Sequence, residues 1–446
     1  MNDAYFKRTV DSELHKWAES TRRKPLLLRG ARQIGKSSAV RNLGKNFRYY
    51  VEVNFDDRQE LSKLFEKSIS PQEICEQLAL FYRTPIIAGE TLLFLDEIQM
   101  SRAALAKLRY FYEQYPDLHL IAAGSLLEFA IAEMPSFGVG RIRSLFMYPF
   151  SFEEFITALG DEMIVAAYRK ASPEKPLSEI IHKQLIERLK IFLIIGGMPE
   201  SVSEYVRTKD LLHSSQILSD IIVSLKSDFS KYKERVPALR IAEVFNSVVR
   251  QAEGKFIYER AAESMTNLAV KQALELLVMA GLVYPITHTA ANGIPLGAEI
   301  NPKYKKMILC DTGLFQHILN LDVSQILITD DFQVVNRGAL AEIFAGTELL
   351  KASSCYDEAQ LYCWHREKSQ SNAQVDYIIQ HNNCVLPIEI KAGTKGAMQS
   401  LRIFMEEKKL TKGVRSSLEN FSRYDNIDVY PLYAISNLMV KKENLG

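Results

Sequence analysis

One stretch decides the fold that we predict for the N-terminal part of this chain: Pro25-Leu26-Leu27-Leu28-Arg29-Gly30-Ala31-Arg32-Gln33-Ile34-Gly35-Lys36-Ser37-Ser38. Its three consecutive leucines predict a short buried strand, and the residues from Ser38 onward predict a helix. The turn between them has the pattern G-x-x-x-x-G-K-S. Its two glycines let backbone N–H groups curl around an anion at the positive end of the helix. The sequence therefore predicts a phosphate-binding loop.

The residues of this loop, 30–38, are the predicted nucleotide-binding residues. Lys36 has the position that reaches the β- and γ-phosphates, and the Ser37 hydroxyl has the position that ligates Mg²⁺. The alternative is a chance match in a glycine turn. The strand before the loop and the helix after it favour the phosphate-binding interpretation, because the motif requires that context.

A second apolar strand, Thr91-Leu92-Leu93-Phe94-Leu95, ends in the two carboxylates Asp96 and Glu97. Asp96 fits the acid that orients Mg²⁺, and Glu97 fits the base that polarises the attacking water. Paired acids after a strand can also simply cap the next helix. With a phosphate loop earlier in the same sheet, we favour the catalytic interpretation.

Two further positions are candidates for sensing the γ-phosphate. Ser125 follows the next apolar strand, where its hydroxyl could contact that phosphate, although an ordinary strand-end turn is the alternative. The run Gly140-Arg141-Ile142-Arg143 offers an arginine finger toward the chain's own nucleotide or that of a neighbour. We favour Arg141 of the two arginines, against the alternative of an ordinary surface arginine.

Composition excludes several classes of protein. A chain of 446 residues is long enough for two to four domains, and a net charge of +1 gives no global attraction to nucleic acid or membranes. Five scattered cysteines without a C-x-x-C pair argue against a disulfide framework and a zinc site. The polar start and the absence of a long apolar run predict neither a signal peptide nor a membrane span, so we expect a cytoplasmic protein.

Strands that alternate with helices predict a mainly parallel, doubly wound α/β sheet for residues 1–151. Helical periodicity then dominates residues 152–230. Three short helices and an extended segment suggest a winged helix in residues 231–300. Short strands around one helix indicate a further α/β domain in residues 301–446.

Several motifs in this order resemble a large prokaryotic family of AAA-type ATPases whose C-terminal half is catalogued mostly as a domain of unknown function. The resemblance covers almost the whole chain. It implies ATP binding, with an α/β core and a helical lid. The motifs that carry it are Gly30 to Ser37, Phe94-Leu95-Asp96-Glu97-Ile98-Gln99, Ala123-Gly124-Ser125-Leu126-Leu127, Gly140-Arg141, Tyr148 to Phe155, Gly196-Gly197-Met198-Pro199 and Cys310-Asp311-Thr312-Gly313-Leu314.

A constellation near the C-terminus resembles the core of the restriction-endonuclease-like nucleases. Asp376 lies on one predicted strand, and Glu389 and Lys391 share a face of the next one. Glu342, on a predicted helix, matches the acid that such folds often add. The resemblance implies that the carboxylates hold a second metal ion and that the lysine steadies a hydroxide. Gln374 departs from the family, which commonly has a glutamate there; a solvated strand face is the alternative, and the fold does not guarantee activity.

Basic residues flank the winged-helix region, which makes DNA binding an expectation, although such modules also serve protein contacts. The leading hypothesis is an ATP-hydrolysing AAA-type switch or motor coupled to a nuclease-like domain that acts on nucleic acid. A homo-oligomer is one candidate assembly. The alternatives are an ATP-gated regulatory scaffold with an inert C-terminal domain and a metal-dependent endonuclease. The flanking residues are Lys226, Lys231, Lys233, Arg235, Arg240, Arg250, Lys303, Lys305 and Lys306.

Overall fold

The computed structural model describes residues 5–134, 140–232, 236–252, 254–262, 265–320, 337–366, 373–393 and 396–439. Its chain forms two compact units. The N-terminal unit comprises Met1–Tyr148 and Ser354–Glu358. The C-terminal unit comprises Pro149–Ser353 and Ala359–Gly446. No described helix combines the length and the apolar character that crossing a membrane requires.

The N-terminal unit is built on a five-stranded sheet in the order β2-β3-β4-β1-β5, and every pairing in it is parallel. The central strands β3 and β4 are buried along their whole length. Continuous apolar runs suit such strands, because helices cover both faces of a parallel sheet. The parallel α/β prediction is thereby confirmed. The strands are β1 (Leu26–Arg29), β2 (Tyr49–Asn54), β3 (Thr91–Asp96), β4 (His119–Ala123) and β5 (Arg143–Phe146).

The helices of this unit connect the strands, as parallel pairing requires. Two of these helices lie within residues 59–83. Ser70 caps the second helix by accepting a hydrogen bond from the Glu73 N–H, and Pro71 occupies its first turn. The helices are α1 (Thr9–Glu19), α2 (Lys36–Gly44), α3 (Ser62–Glu66), α4 (Pro71–Tyr82), α5 (Arg102–Gln114) and α6 (Leu127–Ala132).

A short segment from late in the chain belongs to the N-terminal unit. The Phe146 N–H at the end of β5 donates to the Cys355 carbonyl at 2.7 Å. The Tyr356 hydroxyl donates to the Glu13 carboxylate at 2.9 Å. Residues 354–358 thus pack beside the outer strand of a sheet that is built from the first third of the chain.

The C-terminal unit begins with helices, as the sequence predicts for residues 152–230. Further helices precede and follow the strands of this unit. They are α7 (Phe152–Ala158), α8 (Glu162–Lys170), α9 (Glu179–Ile195), α10 (Pro199–Thr208), α11 (Leu211–Asp228), α12 (Ala238–Arg250), α13 (Asn267–Met279), α14 (Thr312–Ile318), α15 (Arg337–Lys351) and α16 (Gln399–Glu407).

A mixed eight-stranded sheet in the order β12-β13-β11-β10-β9-β8-β6-β7 completes this unit. Strand β6 lies in the region that the sequence assigns to a winged helix. It forms a hairpin with β7 and also pairs in parallel with β8. The predicted border at residue 300 therefore separates two strands that pair. The strands are β6 (Val283–Thr289), β7 (Ile300–Leu309), β8 (Leu361–His365), β9 (Gln374–His381), β10 (Cys384–Ile390), β11 (Gly413–Ser417), β12 (Ser422–Tyr424) and β13 (Ile427–Pro431).

Two of the motifs quoted above meet inside the C-terminal unit. Asp311, which is 2% exposed, caps α14 by accepting a hydrogen bond from the Leu314 N–H at 3.0 Å. Its second oxygen accepts from the Gly197 N–H at 2.5 Å. A Cβ on Gly196 would lie 2.1 Å from this carboxylate. The Gly196-Gly197 turn between α9 and α10 therefore packs directly against the buried carboxylate of Asp311.

Candidate functional site

The phosphate-binding loop lies between β1 and α2, as predicted. Gly30 has a φ of +135° and Gly35 a φ of +90°, values that L side chains rarely adopt. A Cβ on Gly30 would also lie 2.2 Å from the Met147 carbonyl oxygen. Both glycines of the motif are thus required by the backbone geometry of the loop.

Lys36 is the first residue of α2, and its side chain is folded back over the loop. Its Nζ donates to the Gly30 carbonyl at 2.9 Å and to the Ala31 carbonyl at 2.6 Å. Burial lowers the pKa of Lys36 to about 8, although the nearby charges of Glu97 and Asp96 oppose that shift. The ammonium is therefore held by neutral carbonyl groups, so its charge is not neutralised by a direct ion pair.

Ser37 and Asp96 are brought together across the edge of the sheet. The Ser37 hydroxyl donates to Asp96 Oδ2 at 2.7 Å. Burial raises the pKa of Asp96, while its hydrogen bonds from Ser37 and from the Glu97 N–H lower it. A hydroxyl and a carboxylate in contact are hard oxygen donors of the type that Mg²⁺ prefers, so the donor set fits this ion. Bound there, Mg²⁺ would neutralise phosphate charge.

Glu97 follows β3 with a φ of 47°, an uncommon value for a residue that is not glycine. Its Oε2 accepts hydrogen bonds from the Ser125 hydroxyl at 3.1 Å and from Gln99 Nε2 at 2.5 Å. Glu97 after β3 and Ser125 after β4 are therefore in direct contact. Such an arrangement holds the carboxylate in one orientation at the carboxyl edge of the sheet.

Two residues of this site were missed by the sequence analysis. Gln99 orients Glu97, and a Cβ on Gly124 would lie 1.9 Å from its amide oxygen. Arg8 donates to the Ile34 carbonyl of the loop at 3.1 Å and to the Tyr148 carbonyl at 2.8 Å. The position of Gln99 two residues after Glu97 was a usable signal, whereas nothing in the sequence linked Arg8 to the loop.

Arg141 lies at the end of the same sheet that is opposite to the phosphate loop. Strand β5 starts two residues later and runs parallel to β1, with Arg143 opposite Leu26 and Phe146 opposite Arg29. The phosphate loop follows Arg29, so Arg141 is near the amino ends of the strands and the loop is at their carboxyl ends. Its Nε donates to Glu113 at 2.6 Å. Arg141 is therefore not placed beside the phosphate loop of its own chain.

The C-terminal constellation is centred on a residue that the sequence analysis placed elsewhere. Lys306 on β7 was counted with the basic residues available to DNA, but it is 1% exposed. Its Nζ donates to Glu342 at 3.0 Å and to Asp376 at 3.5 Å. Lys306 is therefore a buried ion-pair partner of two predicted metal ligands. Among the described residues, no three His, Cys, Asp or Glu side chains are grouped so that they could hold a metal ion.

Glu389 and Lys391 occupy the strand next to Asp376, and the pairing of β9 with β10 is antiparallel. Lys391 Nζ donates to Glu389 Oε1 at 2.8 Å. Burial and then the Asp376 charge raise the pKa of Glu389 to about 7. The second oxygen of Asp376 accepts from the Ile390 N–H at 2.9 Å. All four predicted residues thus belong to one cluster, in which Lys306 is the central cation.

The other basic residues around the winged-helix region differ in their surroundings. Lys231 pairs with Asp228 at 3.0 Å, and Lys233 and Arg235 lie outside the described residues. Near the end of α12, a cavity of about 220 Å³ is lined by three cationic side chains together with apolar and backbone groups. The cations are Arg250, Lys255 and Arg260.

Comparisons with known proteins agree with the geometry of the N-terminal unit. Residues 22–156 match the family model described as AAA domain. Residues 186–325 match DUF8612 and residues 337–435 match DUF4143, both described as domains of unknown function. No curated protein is significantly similar to the chain in sequence.

Solved structures give only distant similarities. The Orc1 protein of Aeropyrum pernix in complex with DNA is 14% identical, with 73% of this chain and 95% of that chain covered at a TM-score of 0.29. The Drosophila origin recognition complex bound to DNA is 15% identical, with coverages of 71% and 95% at a TM-score of 0.27. A RuvB variant of Thermotoga maritima is 14% identical, with coverages of 68% and 94% at 0.26. With TM-scores below 0.3, these similarities do not indicate the function of this chain.

The family match spans the phosphate loop, the two acids after β3 and Ser125, and it ends in α7. The parallel sheet places those residues at one edge, as described above. Residues 22–156 therefore match the AAA domain family and have the parallel sheet and phosphate loop that resemble AAA-type P-loop ATPases.

Proposed function

We propose that this chain is a cytoplasmic, ATP-hydrolysing switch of AAA type that uses Mg²⁺. One observation carries the proposal: the Ser37–Asp96 hydrogen bond of 2.7 Å joins the phosphate loop to the strand that ends in Glu97. Phosphate ligand, metal ligand and candidate base therefore share one sheet edge, as phosphoryl transfer to water requires.

Each residue of the site has a task in this proposal. The Lys36 ammonium leaves its hydrogen bonds to the loop carbonyls and contacts the β- and γ-phosphates instead. Glu97 takes the proton from the attacking water, and Ser125 and Gln99 hold its carboxylate in place. Arg141 acts on the nucleotide of a neighbouring copy, so the active form is a homo-oligomer.

The first test replaces Lys36. Lys36→Ala removes the ammonium that contacts the phosphates, and a hydrogen bond to a charged group contributes about 1.5–3 kcal/mol. We expect ATP affinity to fall roughly 10- to 150-fold, measured by calorimetry. Lys45→Ala, an exposed lysine at the end of the same helix, is the control and should bind ATP normally. Unchanged affinity in the Lys36 variant would eliminate the ATPase proposal.

The same titration has a characteristic pH dependence. Because the pKa of Lys36 is about 8 and bound phosphate raises it, nucleotide binding takes up a proton above pH 8. Affinity should therefore be flat below pH 8 and then decline by up to about tenfold per pH unit. Lys36→Ala should lose this decline, whereas the Lys45 control should keep it.

We further propose that the C-terminal unit contacts nucleic acid through the cavity near the end of α12. Within the described part of the chain, Arg250, Lys255 and Arg260 form no ion pair, and Lys255 lies over the ring of Tyr304 at 5.5 Å. Three cations around one cavity are suited to backbone phosphates, whose neutralisation releases counterions. In this proposal residues 152–230 act as the lid and residues 231–300 as the winged-helix module, and both transmit the nucleotide state to residues 301–446.

A double substitution tests the nucleic-acid contact. Arg250→Ala with Arg260→Ala should weaken duplex DNA binding and reduce the slope of log affinity against log salt by about 2. The control removes two exposed cations that do form ion pairs, Lys183 with Glu179 and Arg402 with Asp425. Fluorescence anisotropy at several salt concentrations measures both. Equal losses of DNA affinity in the two variants would mean that any two exposed cations contribute in the same way. The cavity would then have no specific role in DNA binding.

The ion pairs of Lys306 favour a second candidate function over the nuclease hypothesis. The metal-dependent nuclease hypothesis needs a divalent ion among Glu342, Asp376 and Glu389, but the Lys306 ammonium contacts the first two. This contact favours an ATP-gated regulatory or scaffolding protein whose C-terminal domain is inert. Incubation of the protein with DNA and RNA, in the presence of Mn²⁺ and with or without ATP, separates the two, because only a nuclease cuts.

A further inference from the structure

The cavity near the end of α12 receives its three cations from one stretch of sequence. Arg250 is the last residue of α12, and Lys255 and Arg260 follow in the next segment of the chain. All three residues are exposed to solvent. The cavity that they line has a volume of about 220 Å³. Three positive charges therefore surround one small space, whereas a groove for a duplex would spread them along a surface.

The backbone around this cavity is held in place by Gln251. Its side-chain Oε1 accepts a hydrogen bond from the Ile257 N–H at 2.9 Å, and its Nε2 donates to the Ile257 carbonyl at 3.3 Å. The Arg260 N–H donates to the same carbonyl at 3.1 Å. The loop is also held by β7, because the Phe256 N–H donates to the Lys305 carbonyl at 2.8 Å. A backbone fixed in this way lowers the entropic cost of binding a ligand.

The lining of the cavity carries an excess of positive charge. Of the residues that line it in the described part of the chain, none is acidic. Lys255 Nζ lies 5.5 Å from the centre of the Tyr304 ring, a neutral neighbour. Glu259 is close enough to be influenced by the Lys255 charge, but it is exposed and accepts a hydrogen bond from Asn267 Nδ2 at 2.9 Å. The buried ring of Phe315 adds an apolar wall, and apolar surroundings strengthen electrostatic attraction.

We propose that this cavity binds the terminal phosphate of a nucleic-acid strand, an inference that rests on the nucleic-acid contact proposed above. A phosphate within the backbone is a diester with one negative charge. A terminal phosphate is a monoester with about 1.5 to 2 negative charges at pH 7 and three oxygen atoms that accept hydrogen bonds. Three cations around one cavity match the monoester better in charge and in acceptors. A strand end can also enter a cavity that a continuous backbone has to pass over.

The test compares DNA strands of one sequence that differ only in their ends. Single-stranded and duplex oligonucleotides carry a 5′-phosphate, a 3′-phosphate or hydroxyl groups alone, and a circularised strand has no end. Each carries an internal fluorophore, and anisotropy measures its affinity for the nucleotide-free full chain. One of the two phosphorylated ends should bind about tenfold or more tightly than the hydroxyl ends and the circle, because one hydrogen bond between charged groups contributes that much.

A double substitution assigns this preference to the cavity. Arg250→Ala with Arg260→Ala should bind phosphorylated and hydroxyl ends with similar affinity. The matched control, Lys183→Ala with Arg402→Ala, removes two exposed cations that form ion pairs elsewhere in the unit and should retain the preference. All four side chains are exposed, so the melting temperatures should stay close to that of wild type. A preference that survives the first double substitution would mean that the terminal phosphate binds elsewhere, for example at the phosphate loop, and the assignment to this cavity would be refuted.

The wild-type protein separates this inference from the proposed nucleic-acid contact. Equal affinity for phosphorylated, hydroxyl and circular DNA would leave the nucleic-acid contact standing and would overturn the terminal-phosphate proposal. Absence of binding to every one of these molecules at low salt would overturn both. A preference for one phosphorylated end that disappears with Arg250 and Arg260 would support the proposal and would identify the end as 5′ or 3′.

Discussion

Glu97→Gln lowers ATP turnover by at least about 100-fold while bound ATP is retained, if Glu97 is the general base. Glutamine has the same size and still offers an oxygen to Ser125 and Gln99, so the local hydrogen bonds persist. What it loses is the ability to take a proton from water. Phosphate release in steady state measures turnover, and filter binding measures retained ATP.

A matched substitution controls for the loss of one negative charge. Glu90 immediately precedes the other end of β3, where it pairs with Arg48 on the surface at 3.0 Å. Glu90→Gln should leave turnover close to that of wild type. If Glu97→Gln does the same, Glu97 only ends the strand and another group activates the water.

The geometry of the candidate nucleotide site was predictable because its determinants are local in sequence. The loop from Gly30 to Ser37 carries its own strand and helix, and Asp96 follows directly from an apolar run. Parallel strands end at the same edge of a sheet, so these local patterns suffice to bring Ser37 and Asp96 together. Fold class and site therefore follow from short segments.

The surroundings of Lys306 were not predictable in this way. Its partners are 36 and 70 residues further along the chain. They reach it only because β7 packs against α15 and belongs to the same sheet as β9. In sequence it stands beside Lys303 and Lys305, which favoured a solvated basic run. Tertiary contact alone determines which lysine of such a run is buried.

Two buried lysines of this chain illustrate how partners set the use of a charge. Carbonyl groups hold Lys36, and burial lowers its pKa to about 8. Carboxylates hold Lys306, and they raise its pKa. The first ammonium remains available to an incoming phosphate, whereas the second is already neutralised. The same residue type is therefore held by neutral groups in one unit and neutralised by ion pairs in the other.

The second large effect is on stability. Asp311→Ala leaves the N–H groups of Gly197 and Leu314 buried without an acceptor. Each unsatisfied group costs about 1–3 kcal/mol, so the free energy of unfolding of the C-terminal unit should fall by about 2–6 kcal/mol. Urea unfolding followed by the fluorescence of Trp364 measures this, in a Trp17→Phe background that removes the other of the two tryptophans.

Asp210 provides the matched control for that experiment. It also caps a helix, because it accepts hydrogen bonds from the Leu212 N–H at 2.8 Å and the His213 N–H at 3.0 Å. Unlike Asp311, it is exposed. Water can replace its carboxylate, so Asp210→Ala should cost only about 0.5–2 kcal/mol. Equal losses for the two substitutions would mean that the burial of Asp311 adds nothing beyond helix capping. A clearly larger loss for Asp311 would identify the contact between the Gly-Gly turn and α14 as a main source of stability in this unit.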